Sequence, residues 1–514
     1  MGKLTAIPES VRRQMWALTG VVWLALLGRS AGAEPPRLTL DWHKTGAISR
    51  AAVSIQVCPE PPLLKGRPLH DKLFALLHQL DADYARLQPW FPYPRISVAE
   101  LKPPAVGRTY WDFKRLDEMT ADFMQAVGSR PVIVNFGAFP LWMFKDTDSF
   151  QLPVGTDEIA WAYATGTEFR DPSLEEAADY QARLASWYMA GGFKDEDGRW
   201  HASGHHYKFA YWEIGNEPDL EHQLSPQQYT RFYDKVVEKI RALAPEMKFA
   251  GPAVSNPDSN VEFLDYFLDA AHHQPGIGID MLTYHFYTLP DRDETLADMQ
   301  HTIFEKVDAL LAQARFVNVL RAKSYPHAKV AIDELGSMLT DPTAPRLTAP
   351  IPAAYWNLSA AMWAYAYGNL AALDVDVVSG AELIDYPGQV ASASLVDWET
   401  GQPNARFLVL KLLRDNFQPG DALVTPNWQT QAIPGVREIY AQGFVAPSGT
   451  RKLLLVNKRD RAVDVDVAEA AGGRQSTVDQ STVGEPATQA LTSNAVHLGG
   501  FAVAVITFPR EASP

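Results

Sequence analysis

Two short segments of this 514-residue chain each end a strand-like run with a glutamate. Phe209–Pro218 is apolar and aromatic at first and then continues as Gly-Asn-Glu-Pro, so that Glu217 directly follows the run. The proline cannot extend a central strand, because it lacks a backbone N–H. Lys329–Asp333 is likewise followed at once by Glu334. Two glutamates at the ends of buried strands predict paired-carboxylate chemistry, with Glu217 as the candidate acid/base and Glu334 as the candidate nucleophile.

Strand-like and helix-like patterns alternate around these segments, from about residue 51 to residue 385. The strand-like runs are Ala51–Val57, Tyr84–Trp90, Pro131–Phe136, Phe209–Ile214, Lys248–Ala253, Met281–Tyr287, Lys329–Asp333 and Val375–Ile384. Seven amphipathic stretches lie between them. Eight β units with intervening helices predict an α/β fold of the (β/α)8 TIM-barrel type. An open doubly wound sheet is the alternative, but no G-x-G-x-x-G or P-loop motif follows any strand.

The pattern changes after Phe407–Phe417 to short β-rich segments separated by turn residues. We therefore predict a catalytic barrel over residues 51–400 and an antiparallel, β-sandwich-like accessory domain over residues 401–514, with residues 34–50 as a candidate extra strand of that domain. Long insertions follow the third and seventh barrel strands and are expected to overhang the carboxyl-terminal face of the barrel. These insertions are Asp146–Pro172 and Thr340–Ile351.

Residues 1–33 have the pattern of a signal peptide. Basic residues precede an apolar run from Trp16 to Leu27, and Ala31-Gly32-Ala33 matches a small-residue cleavage site. The run is shorter than the roughly 20 apolar residues of a spanning helix, so cleavage is expected, with an uncleaved anchor as the alternative. We predict a periplasmic or secreted protein without stable membrane insertion after cleavage.

The composition excludes several partners. A net charge of −15 argues against a nucleic-acid partner, which requires a basic face. The single cysteine, Cys58, permits no intrachain disulfide and is expected to be a buried thiol. His205-His206 and His272-His273 lack the spacing of a metal-ligand set, so no metal is expected. No organic cofactor is expected either.

The order Trp-x-x-x-Asn-Glu-Pro-Asp from Trp212 to Asp219, with Glu334 at the seventh strand, resembles a clan of retaining glycoside hydrolases. In that clan the catalytic glutamates lie on barrel strands four and seven. Within it, the chain most resembles family 39, the β-xylosidases and α-L-iduronidases, over roughly residues 50 to 390. Gly215 stands where that family usually has tryptophan, and Gly-Asn-Glu-Pro also occurs in family 79 β-glucuronidases and heparanases. Local matches lie at Tyr110–Phe113, Pro131–Pro140, Tyr211–Asp219, Tyr284–Tyr287 and Asp333-Glu334.

The resemblance implies roles for several polar residues. Asn216 would hydrogen-bond the sugar 2-hydroxyl. Arg86 would lie near the nucleophile and help keep it ionised, with an ordinary salt bridge as the alternative. Tyr287 would orient the nucleophile. His285 alternates with Tyr287 along the sixth strand, so both could face the barrel mouth, although a structural core histidine is the alternative.

Further substrate-binding candidates follow the strands. Trp90 and Trp142 could stack on a sugar ring, as could Phe91 and Tyr93, although plain packing is the alternative for each. Glu382, on the last strand, could contact a sugar hydroxyl. Lys145 and Arg170 could meet a uronate carboxylate or simply face solvent.

The sequence therefore predicts an exported retaining glycoside hydrolase that acts on an oligosaccharide or glycoside, in the manner of a β-xylosidase-like exo-enzyme. A β-glucuronidase-like or endo-acting glycosidase of the same clan and a transglycosylase are alternatives within enzymes. A carbohydrate-binding pseudoenzyme is the alternative outside them.

Overall fold

The chain forms a parallel barrel and a β-sheet domain. The computed structural model describes residues 35–90, 96–145, 166–340, 351–387, 390–429 and 438–509. The predicted signal peptide lies outside the described residues, as do Phe91, Tyr93 and most of the two long insertions.

Strands and helices alternate through most of the first part of the chain, and strands predominate in the second. In chain order the strands are β1 (Arg37–Ile48), β2 (Ala52–Val57), β3 (Tyr84–Leu87), β4 (Val132–Val134), β5 (Gly192–Lys194), β6 (Trp200–Ala202), β7 (Tyr211–Glu213), β8 (Phe249–Val254), β9 (Met281–Thr288), β10 (Lys329–Ser337), β11 (Val377–Gly380), β12 (Ala422–Gln429), β13 (Ile439–Val445), β14 (Arg451–Asn457), β15 (Val463–Val467), β16 (Arg474–Val478), β17 (Ala487–Ala490), β18 (Ala495–Leu498) and β19 (Val503–Thr507). The helices are α1 (His70–Leu80), α2 (Lys114–Val127), α3 (Glu175–Met189), α4 (Pro226–Leu243), α5 (Val261–Phe267), α6 (Leu296–Ser324), α7 (Ala353–Leu370) and α8 (Ala405–Asn416).

Eight parallel strands close the barrel in the order β2-β3-β4-β7-β8-β9-β10-β11, with β11 pairing back to β2. The predicted (β/α)8 architecture is confirmed. Counted from β2, the strand before Glu217 is the fourth and the strand containing Glu334 is the seventh. Within the described residues, no helix combines the length and the apolar character needed to cross a bilayer.

The inward-facing side chains of the barrel change from apolar to polar along the strands. An apolar layer consists of Ile133, Tyr211, Ala250, Met281, Ala331 and Val377. Two residues further along their strands, and fully buried, lie Asn135, Glu213, Thr283, Asp333 and Ser379. Residues i and i+2 of a strand share a face, so each of these strands supplies first the apolar plug and then the polar layer. The polar layer lies under the carboxyl ends of the strands, where barrel enzymes build their sites.

The second domain is a nine-stranded sheet in the order β17-β16-β19-β14-β13-β12-β1-β15-β18. Strand β1, from the predicted segment 34–50, pairs antiparallel with β12 and parallel with β15. Along β14, Leu453 and Leu455 enter the domain's own core, whereas Leu454 and Val456 join the large core of the barrel. Because alternate residues of a strand face opposite sides of the sheet, one face of the sheet packs on its own core and the other packs on the barrel.

The boundary between the domains differs from the prediction at residue 400. Helix α8 packs against α7 and β2, so the helical layer of the barrel continues to Asn416 and the sheet resumes at β12. The barrel domain therefore extends about sixteen residues beyond the predicted boundary, through helix α8.

Candidate active site

Glu217 lies at the carboxyl end of the fourth barrel strand, on an unusual stretch of backbone. Its φ is +38°, and its N–H donates to the carbonyl of Ala253, 3.0 Å away. Gly215, two residues earlier, has a φ of +73°, a conformation that a side chain would strain. The glycine that departs from the family 39 pattern is therefore required by the turn that presents Glu217. Strained backbone of this kind is concentrated at functional sites.

Glu334 faces the barrel mouth because strand β10 carries an irregularity. The register between β10 and β9 shifts between Ile332 and Glu334. Consecutive residues of a regular strand point to opposite faces, whereas a bulge re-aims one of them. As a result Asp333 and Glu334 both approach one guanidinium, that of Arg86. The sequence pattern predicts that this strand ends at Asp333, whereas in the structure it continues to Ser337.

Arg86 is fully buried and joins the residues of the site. Its Nη1 donates to Glu334 Oε1 at 2.7 Å, its Nη2 to Asn216 Oδ1 at 2.8 Å, and its Nε to Glu213 Oε2 at 2.7 Å. Asp333 Oδ2 lies 3.1 Å from the same Nε. The planar fork of donors suits several carboxyl groups at once, so Arg86 fixes both the position and the charge of the candidate nucleophile.

His285 bridges the two catalytic candidates. Its Nδ1 lies 2.8 Å from Glu217 Oε1 and 3.4 Å from Glu334 Oε2. Tyr287, two residues further along β9, donates its hydroxyl to Glu334 Oε2 at 2.8 Å. Both side chains therefore face the barrel mouth and contact the glutamates.

The two glutamates have opposite pKa shifts. Burial raises the pKa of Glu217, and the hydrogen bond from His285 offsets this only in part. Burial alone would also raise the pKa of Glu334, but the positive charges of His285 and Arg86 and the hydroxyl of Tyr287 outweigh it and hold that pKa below its usual value. One carboxyl group thus tends to stay protonated and the other tends to stay ionised, which is the division that acid and nucleophile require.

A second carboxyl pair lies beneath the first. Burial would raise the pKa of Glu213, but Arg86 and its hydrogen bonds lower it to about 2. Burial and the negative charge of Glu213 raise the pKa of Asp333 well above its usual value. Burial would lower the pKa of His285, but Glu334, Asp333 and Glu217 together raise it to about 10. With Asp333 protonated, the cations Arg86 and His285 balance the anions Glu213 and Glu334.

Asn216 is held from two sides. Its Oδ1 accepts from Arg86, and its Nδ2 donates to Glu221 Oε1 at 2.6 Å. Trp90 is half-buried, and its indole interacts with Glu221. Gly137 permits this packing, since a Cβ there would lie 2.9 Å from both the Cβ and the N of Asn216. The structure thus brings Asn216 and Trp90 to the acid/base side of the site.

Trp142 lies elsewhere. Its indole N–H donates to the carbonyl of Glu100 at 2.9 Å, and the guanidinium of Arg170 lies 4.4 Å from its ring centroid. Arg170 also pairs with Glu176, and Lys145 pairs with Glu168. Among the described residues, therefore, these contacts join Trp142, Arg170 and Lys145 to one another or to outer carboxylates rather than to Glu217 or Glu334.

Glu382 lies on the nucleophile's side of the barrel mouth. Its carboxyl is hydrogen-bonded to the thiol of Cys58, and its charge acts on Glu334. Cys58 is buried, as expected. Burial and the negative charge of Asp385 raise the pKa of Glu382 well above its usual value.

Several residues of this network are not evident from the sequence. Gln56 donates to Glu334 Oε1 at 3.0 Å, and Gln88 accepts from both Gln56 and Arg86. Asn135 donates to Glu213 Oε2 at 2.8 Å. The available signal was a polar residue at an inward position of an otherwise apolar strand, but recognising it requires knowledge of which face is inward.

Glu217, His285 and Glu334 have donor atoms within 4.8 Å of one another, a spacing that could also hold a metal ion. A histidine must be neutral to bind a metal. The carboxylates around His285 raise its pKa to about 10, which favours the imidazolium form. The arrangement therefore fits a protonated His285 paired with two carboxyl groups better than a metal site.

Comparisons with known proteins agree with the fold. One family model matches residues 438–506, the C-terminal immunoglobulin-like domain of D-apionate lactonase. No curated protein matches the sequence. A GH51 arabinofuranosidase from Xanthomonas axonopodis pv. citri is 11% identical with a TM-score of 0.62, and the alignment covers 92% of this chain and 99% of that one.

Two further solved structures share the architecture. A glucosidase from Croceicoccus marinus is 15% identical with a TM-score of 0.58, over 93% of this chain and 100% of that one. GH30 xylanase C from Talaromyces cellulolyticus is 13% identical with a TM-score of 0.55, over 92% and 100%. These likenesses show a shared fold of barrel and β domain. They are compatible with the clan resemblance, while membership of family 39 stays a prediction.

The buried position of Arg86 predicts a large effect on stability. Replacing Arg86 with methionine leaves Glu213 and its neighbours without their cation, and we expect a loss of about 3–5 kcal/mol in the free energy of unfolding. The control Arg170→Met, at a partly exposed ion pair, should cost about 1 kcal/mol or less. Chemical denaturation measures both. Adding Glu213→Gln to Arg86→Met should recover part of the loss; equal losses in the two single variants would contradict the role given to Arg86.

Proposed function

We propose that the protein is a retaining glycoside hydrolase with Glu217 as acid/base and Glu334 as nucleophile. The observation that carries this proposal is the pair of opposite pKa shifts on two carboxyl groups that share one histidine. The barrel folds of the arabinofuranosidase, glucosidase and xylanase support it. Export through a cleaved leader is part of the same proposal and is supported by the pattern of residues 1–33.

The separation of the two carboxyl groups favours retention. An oxygen of Glu217 and an oxygen of Glu334 lie within 4.8 Å of each other. Retaining enzymes hold their carboxyl groups about 5–5.5 Å apart, whereas inverting enzymes leave about 6.5–9.5 Å for a water molecule. This bound agrees better with the retaining range than with the inverting one.

In the first step, Glu217 donates its proton to the leaving oxygen while Glu334 attacks the anomeric carbon. The glycosidic bond breaks, and the sugar is held as an ester of Glu334. In the second step, Glu217 accepts a proton from water, and the oxygen of that water displaces Glu334. If the second oxygen belongs to another sugar, the same step is transglycosylation.

The chain's own residues support both steps. Arg86 and Tyr287 hydrogen-bond Glu334 and stabilise its ionised form before attack and after release. His285 contacts both glutamates, so its positive charge can stabilise the negative charge on Glu334 before attack and on Glu217 afterwards. Asn216 is oriented by Arg86 and Glu221 and retains a second amide N–H for a sugar hydroxyl.

We retain a β-xylosidase-like exo-enzyme as the finer proposal. The neighbours named above include enzymes of arabinofuranosides, glucosides and xylans, so they favour no single sugar. An endo-acting or β-glucuronidase-like enzyme is compatible with the same two glutamates. A pseudoenzyme is disfavoured, because both carboxyl groups and their supporting residues are present.

The match to the D-apionate lactonase C-terminal domain favours a second candidate, hydrolysis of a sugar-acid lactone. A lactone carbonyl carbon is planar, as is the anomeric carbon of an oxocarbenium ion. Water would add to that carbon with Glu334 as general base, and Glu217 would protonate the departing ring oxygen. The matched domain lies apart from the glutamates, so this candidate has weaker support than the glycosidase.

Removal of the nucleophile should abolish turnover in a way that azide repairs. With aryl β-xyloside, α-arabinoside, β-glucoside and β-galactoside as substrates, Glu334→Ala should lower kcat by about 10⁴-fold or more. Azide fits the space left by the carboxylate and should restore turnover, giving a glycosyl azide of inverted configuration after a single displacement. Glu217→Ala with azide should give the retained configuration after two displacements.

The exposed Glu399→Ala variant is the control and should keep wild-type turnover. Treatment with EDTA should leave the wild-type rate unchanged, because no step uses a metal ion. Turnover of aldonolactones with none of any glycoside would favour the second candidate. Loss of activity in Glu334→Ala without azide rescue or a glycosyl azide product would contradict its role as nucleophile.

The hydroxyl of Tyr287 should set the acidic side of the pH profile. Glu334 must be ionised to attack, so kcat/KM falls as the pH drops through its pKa. Tyr287→Phe removes a hydrogen bond that lowers this pKa, and the acidic limb should move to higher pH by about 1 unit. The alkaline limb, which reports loss of the Glu217 proton, should move much less. Tyr365→Phe, whose hydroxyl donates to Asp308 outside the site, is the matched control. An unchanged acidic limb in Tyr287→Phe would separate that limb from Glu334.

A further inference from the structure

Three buried carboxyl groups near the nucleophile have no part in the mechanism above. Glu60 follows strand β2, and Glu382 and Asp385 follow strand β11, the neighbour of β2 in the barrel. Their exposed fractions are 1%, 9% and 3%. Acidic side chains are rarely buried without a partner, so each of the three requires an explanation.

A chain of contacts joins these groups to Glu334. Gln56 Nε2 lies 3.0 Å from Glu334 Oε1 and 3.2 Å from Cys58 Sγ. The thiol of Cys58 is in turn hydrogen-bonded to Glu382. Glu60 is two residues beyond Cys58, and its negative charge acts on that thiol. These contacts place Glu60 and Glu382 on the nucleophile's side of the barrel, and we refer to the two as the carboxyl wall.

The three groups differ in how their oxygens are used. Asp385 accepts hydrogen bonds from the backbone N–H groups of Tyr386 at 2.7 Å and Val390 at 3.1 Å, which gives it a structural role. Glu60 Oε2 is buried and has no hydrogen-bond partner within the described residues. A buried polar atom without a partner is unfavourable unless a ligand supplies one. Glu60 is therefore positioned to receive a hydrogen-bond donor from a bound molecule.

The cations near this wall already have partners. Arg406 donates to the carbonyls of Ser392 and Ala381, at 2.8 and 2.6 Å, and Arg86 is bound to Glu334 and its neighbours. Lys145 and Arg170, which could have met a uronate, pair with other carboxylates. Over the described ranges, the nucleophile's side thus offers carboxyl oxygens and no uncommitted cation.

From this geometry we propose that Glu60 and Glu382 bind neighbouring hydroxyl groups of an uncharged sugar and exclude uronic acids from the same position. The inference rests on the proposed glycosidase function and names its substrate class. A sugar hydroxyl both donates and accepts hydrogen bonds, so it suits a carboxyl group in either protonation state. A substrate carboxylate would instead bring another negative charge beside Glu334 in a buried site, which is costly. Burial and the neighbouring carboxyls raise the pKa of Glu60 and of Glu382, which agrees with a wall that already resists further negative charge.

Matched pairs of aryl glycosides test the proposal. The pairs are 4-nitrophenyl β-glucoside with β-glucuronide and β-galactoside with β-galacturonide, with the β-xyloside and α-arabinofuranoside as further uncharged probes. For whichever sugar is turned over, kcat/KM should favour the uncharged member by about 100-fold or more. A ratio of this size is expected when the carboxylate of the uronide has no cationic partner in the site.

Substitution of the wall residues should change this preference. Glu60→Gln and Glu382→Gln keep the size of the side chain and remove its ability to ionise. Each should lower kcat/KM for the uncharged sugar by about 10-fold and narrow the preference of the enzyme for that sugar over the uronide. A glycoside that lacks the contacted hydroxyl should lose activity in the wild type but not further in the variant. The exposed Glu399→Gln variant is the control and should behave as wild type. An equal loss of kcat/KM on all substrates would indicate a merely structural role and would overturn the assignment.

The possible failures are distinguishable. Turnover of a uronide equal to or above that of its uncharged partner would overturn the inference while leaving the glycosidase function intact. If no glycoside is turned over, the proposed function fails. Titration calorimetry with free sugars then tests sugar binding at the wall separately. Glucose, xylose or arabinose should bind, and glucuronic acid should bind at least 10-fold more weakly. Tighter binding of glucuronic acid, or binding of none of these sugars, would overturn the inference.

Discussion

The guanidinium of Arg86 is the contact on which the site depends. It is fully buried, and it touches a carboxyl group from the fourth strand, two from the seventh strand, and the amide of Asn216. A buried cation is tolerated only where anions and hydrogen bonds compensate it. The same cation lowers the pKa of Glu213 and of Glu334, whereas burial and the negative charge of Glu213 raise the pKa of Asp333.

The catalytic asymmetry follows from the positive charges of His285 and Arg86, which lower the pKa of Glu334, whereas burial dominates at Glu217. Glu334 accepts a hydrogen bond directly from Arg86, whereas Glu217 is hydrogen-bonded to His285. Burial acts on both glutamates in the same direction, so the difference arises from the positive charges that reach Glu334. The buried carboxyl wall of Glu60 and Glu382 lies beside Glu334. Among the described residues it offers hydrogen-bonding oxygens and no uncommitted cation.

The sequence predicted the strands, the barrel and the strand positions of both glutamates, because periodicity and strand-end motifs are local properties. Arg86, His285 and Tyr287 could be proposed as neighbours through resemblance and alternation. The irregularity in β10 could not, since it depends on pairing with β9, and it is what turns Asp333 and Glu334 toward one cation. Nor could the contacts of Trp142 or the use of Gln56 and Gln88, which depend on how loops and strands meet across the barrel. The barrel extends beyond the predicted boundary at residue 400 because helix α8 packs against α7 and β2, a tertiary contact that the local sequence does not reveal.

The most direct test of this account is the protonation of the two glutamates in the free protein. Infrared difference spectra between the wild type and the Glu217→Gln and Glu334→Gln variants, recorded across a pH titration, isolate the carbonyl band of each protonated carboxyl group. The account predicts that Glu334 loses its proton at a lower pH than Glu217, and that a range of pH exists in which only Glu217 is protonated. Titration of both groups together, or of Glu217 before Glu334, would contradict it.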